Sequence, residues 1–538
     1  MRGGARRTNR RPWLVALLAM LLAVAVGASE AIPSSSGPAA EPAAKKKQKK
    51  KKKGKKKRKG KKEAPAQPVP SDLREVILVG NNWEGTADVI EVRYPASAAA
   101  DEKGKKKGKK GKKGKRKKAR GKGRAKRGAE AAAECKTKRG KKRAKGKKGK
   151  RLKKKGKRPK KGKRKAKRRE CAEPQERPRP TYHPVTRVNV VPDLQQRLNE
   201  IVLNPVDLAY FLAINLLVGE GHNQYVDDMY TTNDGRLLVV SRPSLKDVVG
   251  INLKTGKLAW RFEVSGQRAD HMGISPDGKR VAVSASTGNR VHILDTETGR
   301  QVGVFPSGDS PHENTYSEDG QRIYHASIGL VYTPLDQPLL DSSKGDRRFQ
   351  VVDTATNKII KRVDIGDKLA AAGYPNMSSA VRPMAITSDE SRVYMQVSFF
   401  HGFVEYDNVN DRVLQVARLP DLTGGLPREA YLLDSAHHGI ALDGEDRTLC
   451  VAGTMSDYAA LVDRENFGDY TMIKQGTKPY WSTTSEDGRF CYVSWSGTDS
   501  ISIIDYETRK VVAHIPVGDH PQRVRSGVVP QSYIDAHR

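Results

Sequence analysis

Six pairs of residues recur at one point of a repeating pattern, and their types suit a metal ion or a polar ligand. Counted back four and five positions from the opening residue of an S/T-x-D-G turn, they are Asp228 with Asp227, His271 with Asp270, Glu313 with His312, Pro383 with Arg382, His437 with Ala436, and Trp481 with Tyr480. His438 follows His437, and His520 with Arg523 holds the corresponding place near the C-terminus. Converging imidazole and carboxylate groups can coordinate a divalent metal, with His271, His312 and His437 the expected ligands, or can hold a polar molecule. At any single position the structural reading weighs more, because polar residues at strand entrances also satisfy backbone groups or line a wet channel. No HExxH, GxSxG or P-loop pattern accompanies the ring, so zinc-protease, hydrolase-elbow and nucleotide chemistries have no support. His401, Arg242, His325 and Trp495 fall where a second strand passes to a third and are expected to face the same pocket; each alone reads as structural.

The elements that must position these residues repeat along residues 226–519. The clearest copy, DHMGISPDGKRVAVSASTGNRVHILDTETGRQVGVFPSG (270–308), holds four short Val/Ile-rich runs bounded by Gly, Pro, Asp and Ser, the composition of packed strands joined by tight turns. In its PDG turn the Asp277 side chain can hold the backbone while Gly278 takes a positive φ that a Cβ would oppose. Six copies place the fourth residue of the last turn at Thr255, Thr298, Thr356, Asn410, Asn466 and Thr508, at intervals of 43, 58, 54, 56 and 42. A core period near forty with variable insertions matches one four-stranded blade. A seventh blade assembles from the two ends: REVILVGNN and ADVIEVRY as middle strands, VTRVNVV as the outer one, HPQRVRSGVV as the innermost. The chain therefore reads as all-β, a seven-bladed β-propeller of four-stranded blades whose termini share one blade, which removes open edge strands.

VVDTATNKIIKRVDIG and SIIDYETRKVVAHIPVGDHP resemble repeats of the YVTN family of bacterial β-propeller proteins, a propeller group akin to the quinoprotein amine dehydrogenase β-chain. The resemblance covers roughly residues 71–94 and 184–530. It implies the architecture and an extracytoplasmic binding or surface role, with lactonase-like propellers more distant relatives. LKTGKLAWRFEV (253–264) is also similar to a quinoprotein repeat, but Trp260 does not recur in the other blades, which argues against a pyrroloquinoline quinone site.

Charge divides the chain. Residues 1–200 carry 67 Lys and Arg against 17 acids, net +50; residues 201–538 carry 34 against 43, net −9. The basicity lies in two Lys/Gly tracts, about 45–62 and 103–169, too poor in apolar residues to offset chain entropy and expected to be disordered. One reading is a solvated spacer; the other is contact with a polyanion such as wall polymer, anionic lipid or extracellular nucleic acid. No aromatic residue interleaves the second tract, which argues against sequence-specific nucleic-acid reading. An Arg-rich start and an apolar run at 13–26 read as a signal peptide over 1–31; the run is short for a transmembrane helix, which makes permanent anchoring the weaker alternative. Residues 32–70 follow as a tether, 71–94 open the first blade, 95–183 are the insertion, 184–530 complete the propeller, and 531–538 form a tail. Secretion or attachment to the envelope follows, as does a monomer.

Cys135 and Cys171 bracket part of the insertion and are expected to pair in an oxidising compartment. Cys450 and Cys491 occupy matching second-strand positions in neighbouring blades and are expected to be buried thiols. Loops entering innermost strands and loops joining second to third strands share one face, which carries the insertions 193–225, 367–380, 420–435 and 330–346. LQQRLNEIV and VDLAYFLAINLLV read as two helices split at Asn204 and Pro205 and packed as a lid, or as a membrane-dipping element. Two function classes fit: a binding protein recognising a protein, glycan or small ligand on the lidded face, or a metal-assisted hydrolase, lactonase-like or oxidoreductase-like enzyme using the ring. If the Lys tracts bind polyanions, capture of the full chain by anionic vesicles or a soluble polyanion should weaken at least about tenfold between 50 and 200 mM salt. Deleting residues 103–169 should abolish it; salt-insensitive binding would rule the idea out.

Overall fold

A computed structural model describes residues 72–95, 178–330, 343–427, 431 and 434–538. Residues 1–71, expected to hold a leader and a tether, nearly all of the Lys-rich insertion, Cys135 and Cys171 lie outside the described residues, as does most of the 330–346 loop. Residues 72–93 and 182–538 fall in one compact unit. Its described strands form seven four-stranded antiparallel sheets, and each innermost strand touches the innermost strands of both neighbours, so the sheets close a ring. This is a seven-bladed β-propeller. In the first blade the innermost strand, Pro521–Pro530, comes from the far end of the chain and pairs with Leu73–Asn81, with Val76 opposite Gly527 and Leu78 opposite Arg525. Thr86–Arg93 and Thr181–Asn189 complete that sheet. The innermost strands of the second to seventh blades are Asp228–Thr231, Ala269–Ile274, Pro311–Tyr316, Val381–Ile386, Ile440–Leu442 and Pro479–Thr484.

Burial follows each strand's place in the blade. Leu237–Arg242, a second strand between two neighbouring blades, is buried at every residue, whereas the outer strand Lys257–Glu263 alternates exposed and half-buried positions. The core is therefore divided between blades: Val76, Leu78, Met229, Leu238 and Val240 pack between the first and second, and Ile77, Val79, Tyr492 and Ile503 between the seventh and first. The turns form as their residues dictate. Ser275 Oγ donates to Asp277 Oδ1 at 2.7 Å and accepts from Arg280 N at 3.0 Å, and Gly278 sits at φ +64°. Thr232, Ser317, Thr387 and Ser485 repeat the same Oγ to Asp bond in other blades.

One expectation is corrected. Cys450 and Cys491 are joined in a disulfide, not held as separate thiols. Neighbouring blades stack so that equivalent second-strand residues face each other, and the two Cα atoms lie 6.4 Å apart, within disulfide reach. The bridge runs through a dry cluster with Ala459, Leu461, Val493 and Trp495.

The two helices of the first insertion are present as expected, α1 (Leu194–Leu203) and α2 (Pro205–Ala213), the latter continued by a wider turn at Ile214–Val218. Asn204 caps α2 by accepting from Val206 N and Asp207 N, with Pro205 at the first helical position. No single helix among the described residues is long and apolar enough to cross a membrane. A buried charge network roots the pair: Arg242 bonds Asp247 at 2.8 Å and Asp193 at 2.5 Å, while Arg197 donates to the Leu245 carbonyl at 3.0 Å. Arg242 is thereby a lid anchor and not a pocket residue. The inter-blade bridge closes a loop across a sequence separation of 41. A Cys450→Ala, Cys491→Ala double variant should lose about 2–4 kcal/mol in urea unfolding, and wild type should lose a similar amount under reductant.

Candidate functional site

The candidate ring is built by β-bulges. In the third blade the pairing jumps from Ala269 opposite Ala285 to Met272 opposite Val283, so Asp270 and His271 together oppose Ser284 alone. The same shift sets His312 and Glu313 against Ala326, Arg382 and Pro383 against Gln396, and Tyr480 and Trp481 against Ser494. An extra residue cannot join the ladder, so each bulge bends the strand and turns a side chain toward the channel. In the first blade, pairing jumps between Arg523 and Pro521, leaving Gln522 as the extra residue.

The sixth blade follows the rule two residues later than its DG dipeptide suggests. His438 N donates to the Ala452 carbonyl and Ala452 N to the Gly439 carbonyl, so its bulge is His438 with Gly439. Here Asp443 fills the Ser/Thr place: its backbone N bonds Thr448 O as Ser275 N bonds Arg280 O, and its carboxylate accepts from Arg447 N at 2.7 Å. Counting back from Asp443 gives Gly439 and His438. His437 instead turns outward, its Nε2 3.1 Å from Tyr458 Oη and its ring 5.6 Å from His401. His401 in turn bonds Tyr431 Oη at 2.8 Å. These two form a separate cluster and do not line the cavity below.

Inside the ring, ring nitrogens of His271, His312 and His438 lie within 4.8 Å of one another, and so do ligand atoms of Asp227, Asp270 and His271. His271 Nδ1 is 2.8 Å from Glu313 Oε2, and His312 Nε2 is 3.4 Å from Arg382 Nη1. His312 Nδ1 and both ring nitrogens of His438 are buried without a partner of hydrogen-bond geometry. Arg523 lies 3.6 Å over the Trp481 ring and 3.2 Å from Asp227; Arg525 pairs with Asp228 at 2.7 Å. Burial, reinforced by neighbouring guanidinium groups, holds His271, His312 and His438 well below the usual imidazole range, so all three are neutral; the Tyr480 backbone opposes this at His438. Burial also pushes Glu313 up to about 8 and Asp227 up to about 7, against the pull of Arg523.

Above this floor is a cavity of about 150 Å³. Asp227, Asp270, His271, His312, Arg382, Tyr480 and His520 line it from the blades, and Tyr210, Ile214, Leu217 and Val218 from the lid. The far end of the lid is latched by Lys478, which pairs with Glu220 and, at 3.1 Å, with Asp434. His520 contributes an edge only, being stacked on Trp83 at 3.9 Å with His222 on the other face of the indole. His325 is a core residue, and Trp495 is wholly buried with its Nε1 on Ser502 Oγ. Gln224, Arg268, Asp434 and Lys478 line the cavity without having been singled out from sequence; all lie in loops entering innermost strands, and that position was their only signal.

Fold and site together define a seven-bladed propeller with a lidded, polar channel cavity. No family model and no curated protein matches the chain, so the YVTN resemblance rests on the quoted repeats alone. Among solved structures, the chain is similar to one titled Kuenenia stuttgartiensis hydrazine synthase, at 15% identity over 55% of this chain and 88% of that one, with a TM-score of 0.43. A likeness at that level carries no argument about this chain.

His325 offers a clean test of burial. Its Nδ1 donates to the Glu313 carbonyl and Asn314 Oδ1, both at 2.9 Å, and its Nε2 is 2.7 Å from Ser307 Oγ. Burial lowers its pKa from 6.5 to about 3, with the Glu313 carbonyl opposing. The stability from keeping this ring neutral is full above pH 6.5 and is lost as pH falls from there toward 3. Between pH 7 and 5, in chelator, wild type should lose on the order of 2 kcal/mol more than His325→Gln in urea unfolding.

Proposed function

We propose that the protein is an exported binding propeller that encloses a small polar ligand in the channel cavity, while its Lys-rich tracts hold it against anionic material at the cell envelope. The observation that carries the reading is the cavity itself: Asp227, Asp270, His271, His312, Arg382 and His520, all buried, converge from several blades on a concave space beneath the helical insertion. Charged groups are rarely buried unless paired or used, and a mostly pre-formed concave site with a few convergent polar groups is the usual form of a small-ligand pocket. An apolar roof over a polar floor suits a molecule that is desolvated on entry and oriented by hydrogen bonds. The inter-blade disulfide and the signal-like leader favour an oxidising, extracytoplasmic compartment.

Native mass spectrometry of the full chain, equilibrated with an extract of small polar metabolites, tests the reading. Wild type should retain a stoichiometric small molecule. Asp270→Asn and Arg382→Gln should each weaken retention about tenfold or more, the scale of one charge-assisted hydrogen bond. Lys478→Ala, which unlatches the lid, should speed release. A wild-type chain that retains nothing, or retention indifferent to all three substitutions, rejects the proposal.

A further inference from the structure

We infer that His271, His312 and His438 form a three-imidazole site for one divalent transition-metal ion of the zinc or copper class at the floor of the cavity. Their nitrogens come from the bulges of the third, fourth and sixth blades, so the trio exists only in the closed ring. One nitrogen from each lies within 4.8 Å of the others. Three imidazoles on one ion at 2.0–2.1 Å stand roughly 3.4 Å apart, a contraction that small rotations about the broad His χ2 supply. Imidazole donors suit zinc and copper, whereas oxygen-only sets suit magnesium and calcium.

Unpaired nitrogens are the second, independent observation. His312 Nδ1 is buried and unbonded, and His438, whose ring has only the Tyr480 backbone as a hydrogen-bonding neighbour, keeps at least one buried nitrogen without a partner; such groups in a native interior call for a reason. A single cation satisfies one lone pair from each ring at once.

The outer arrangement also fits. Glu313 engages His271 Nδ1 at 2.8 Å, which leaves Nε2 facing the cavity side, 3.9 Å from Asp227 and 4.0 Å from Asp270. In the ligating form Nδ1–H donates to Glu313 Oε2 and Nε2 carries the lone pair, an outer hydrogen bond that fixes ring orientation. Tyr480 and Trp481 pack against His438, with ring centroids 4.3 and 5.5 Å away, and shield that side. His271 and His312 line the cavity, so the fourth coordination position opens into it, where the ligand of the previous section would reach the ion. That last clause rests on the cavity reading; the metal site does not.

The test uses the chelator-stripped full chain, titrated separately with Zn(II) and Cu(II). One ion per chain is expected, and the Cu(II) form should show imidazole nitrogen coupling in its electron paramagnetic resonance spectrum. His271→Ala and His438→Ala should each lose more affinity than the roughly 10–100-fold expected of Glu313→Gln, an outer-shell change. His437→Ala, adjacent in sequence but turned away, should bind as wild type does. Absence of stoichiometric uptake by wild type, a copper spectrum without nitrogen coupling, or equal losses in His437→Ala and His438→Ala overturns the inference. The spectrum of wild type decides the matter even if a variant fails to fold. Small-molecule capture without metal removes the ion and leaves the cavity reading; metal uptake without capture does the reverse.

Discussion

The pairing of Leu73–Asn81 with Pro521–Pro530 is the constraint on which the rest of the molecule depends. It joins residues more than four hundred positions apart, and its entropic cost grows only slowly with loop length, so the long basic insertion inside the same blade is tolerated. The closing strand also brings charge. Arg523 reaches Asp227, Arg525 reaches Asp228, and both guanidinium groups lie over Trp481 of the seventh blade. In the closed ring the acids of the second blade are buried, and without these arginines they would be uncompensated, a cost of several kcal/mol per group. Ring and site are thus one cooperative object.

Within the closed ring, the bulge is what converts a repeat into a site. A regular strand would alternate its side chains between the two faces of the blade and send them into neighbouring blades. Two residues set against one break that alternation at the channel mouth in blade after blade, so positions 270–271, 312–313 and 438–439 can diverge in chemistry without disturbing the core. The divergence is visible: the third, fourth and sixth bulges supply imidazoles, while the fifth supplies Arg382 and the seventh Tyr480 and Trp481. Glycine at 439 has a packing reason, since a Cβ there would press on the Trp481 backbone 2.6 Å away.

Periodicity made most of this legible in the sequence. Strand runs, turn residues, the shared first blade and the two lid helices all follow from local pattern, and the polar ring follows from counting within the repeat. The count breaks in the sixth blade because Asp443 does the work of the missing Ser or Thr, so the visible DG is not the equivalent dipeptide and counting from it lands on His437 in place of His438. The repeat aligns Cys450 and Cys491 as equivalent positions, but sequence pattern does not report that equivalent second-strand residues of adjacent blades face each other. His520 sits at the rim as its position requires; its stacking on Trp83 is a tertiary contact between the two ends of the chain and leaves no periodic trace. Nothing in residue spacing marks Lys478 as the latch, because its partners Glu220 and Asp434 come from two separate insertions.

The two ends of the lid are held differently, and this bears on how a ligand would enter. At α1, Asp193, Arg242, Asp247 and Arg197 form a multiply bonded network with both arginines wholly buried; breaking such a network strands a charge and costs about 3–5 kcal/mol. At the other end Lys478 joins Glu220 and Asp434, and Glu220 remains about a third exposed. Water can replace the partners of the second site far more readily than those of the first. Asp207 at the start of α2 is held as well, by Lys246 at 2.8 Å, so the lid is rooted along α1 and the first turn of α2 and more weakly held at its Glu220 end.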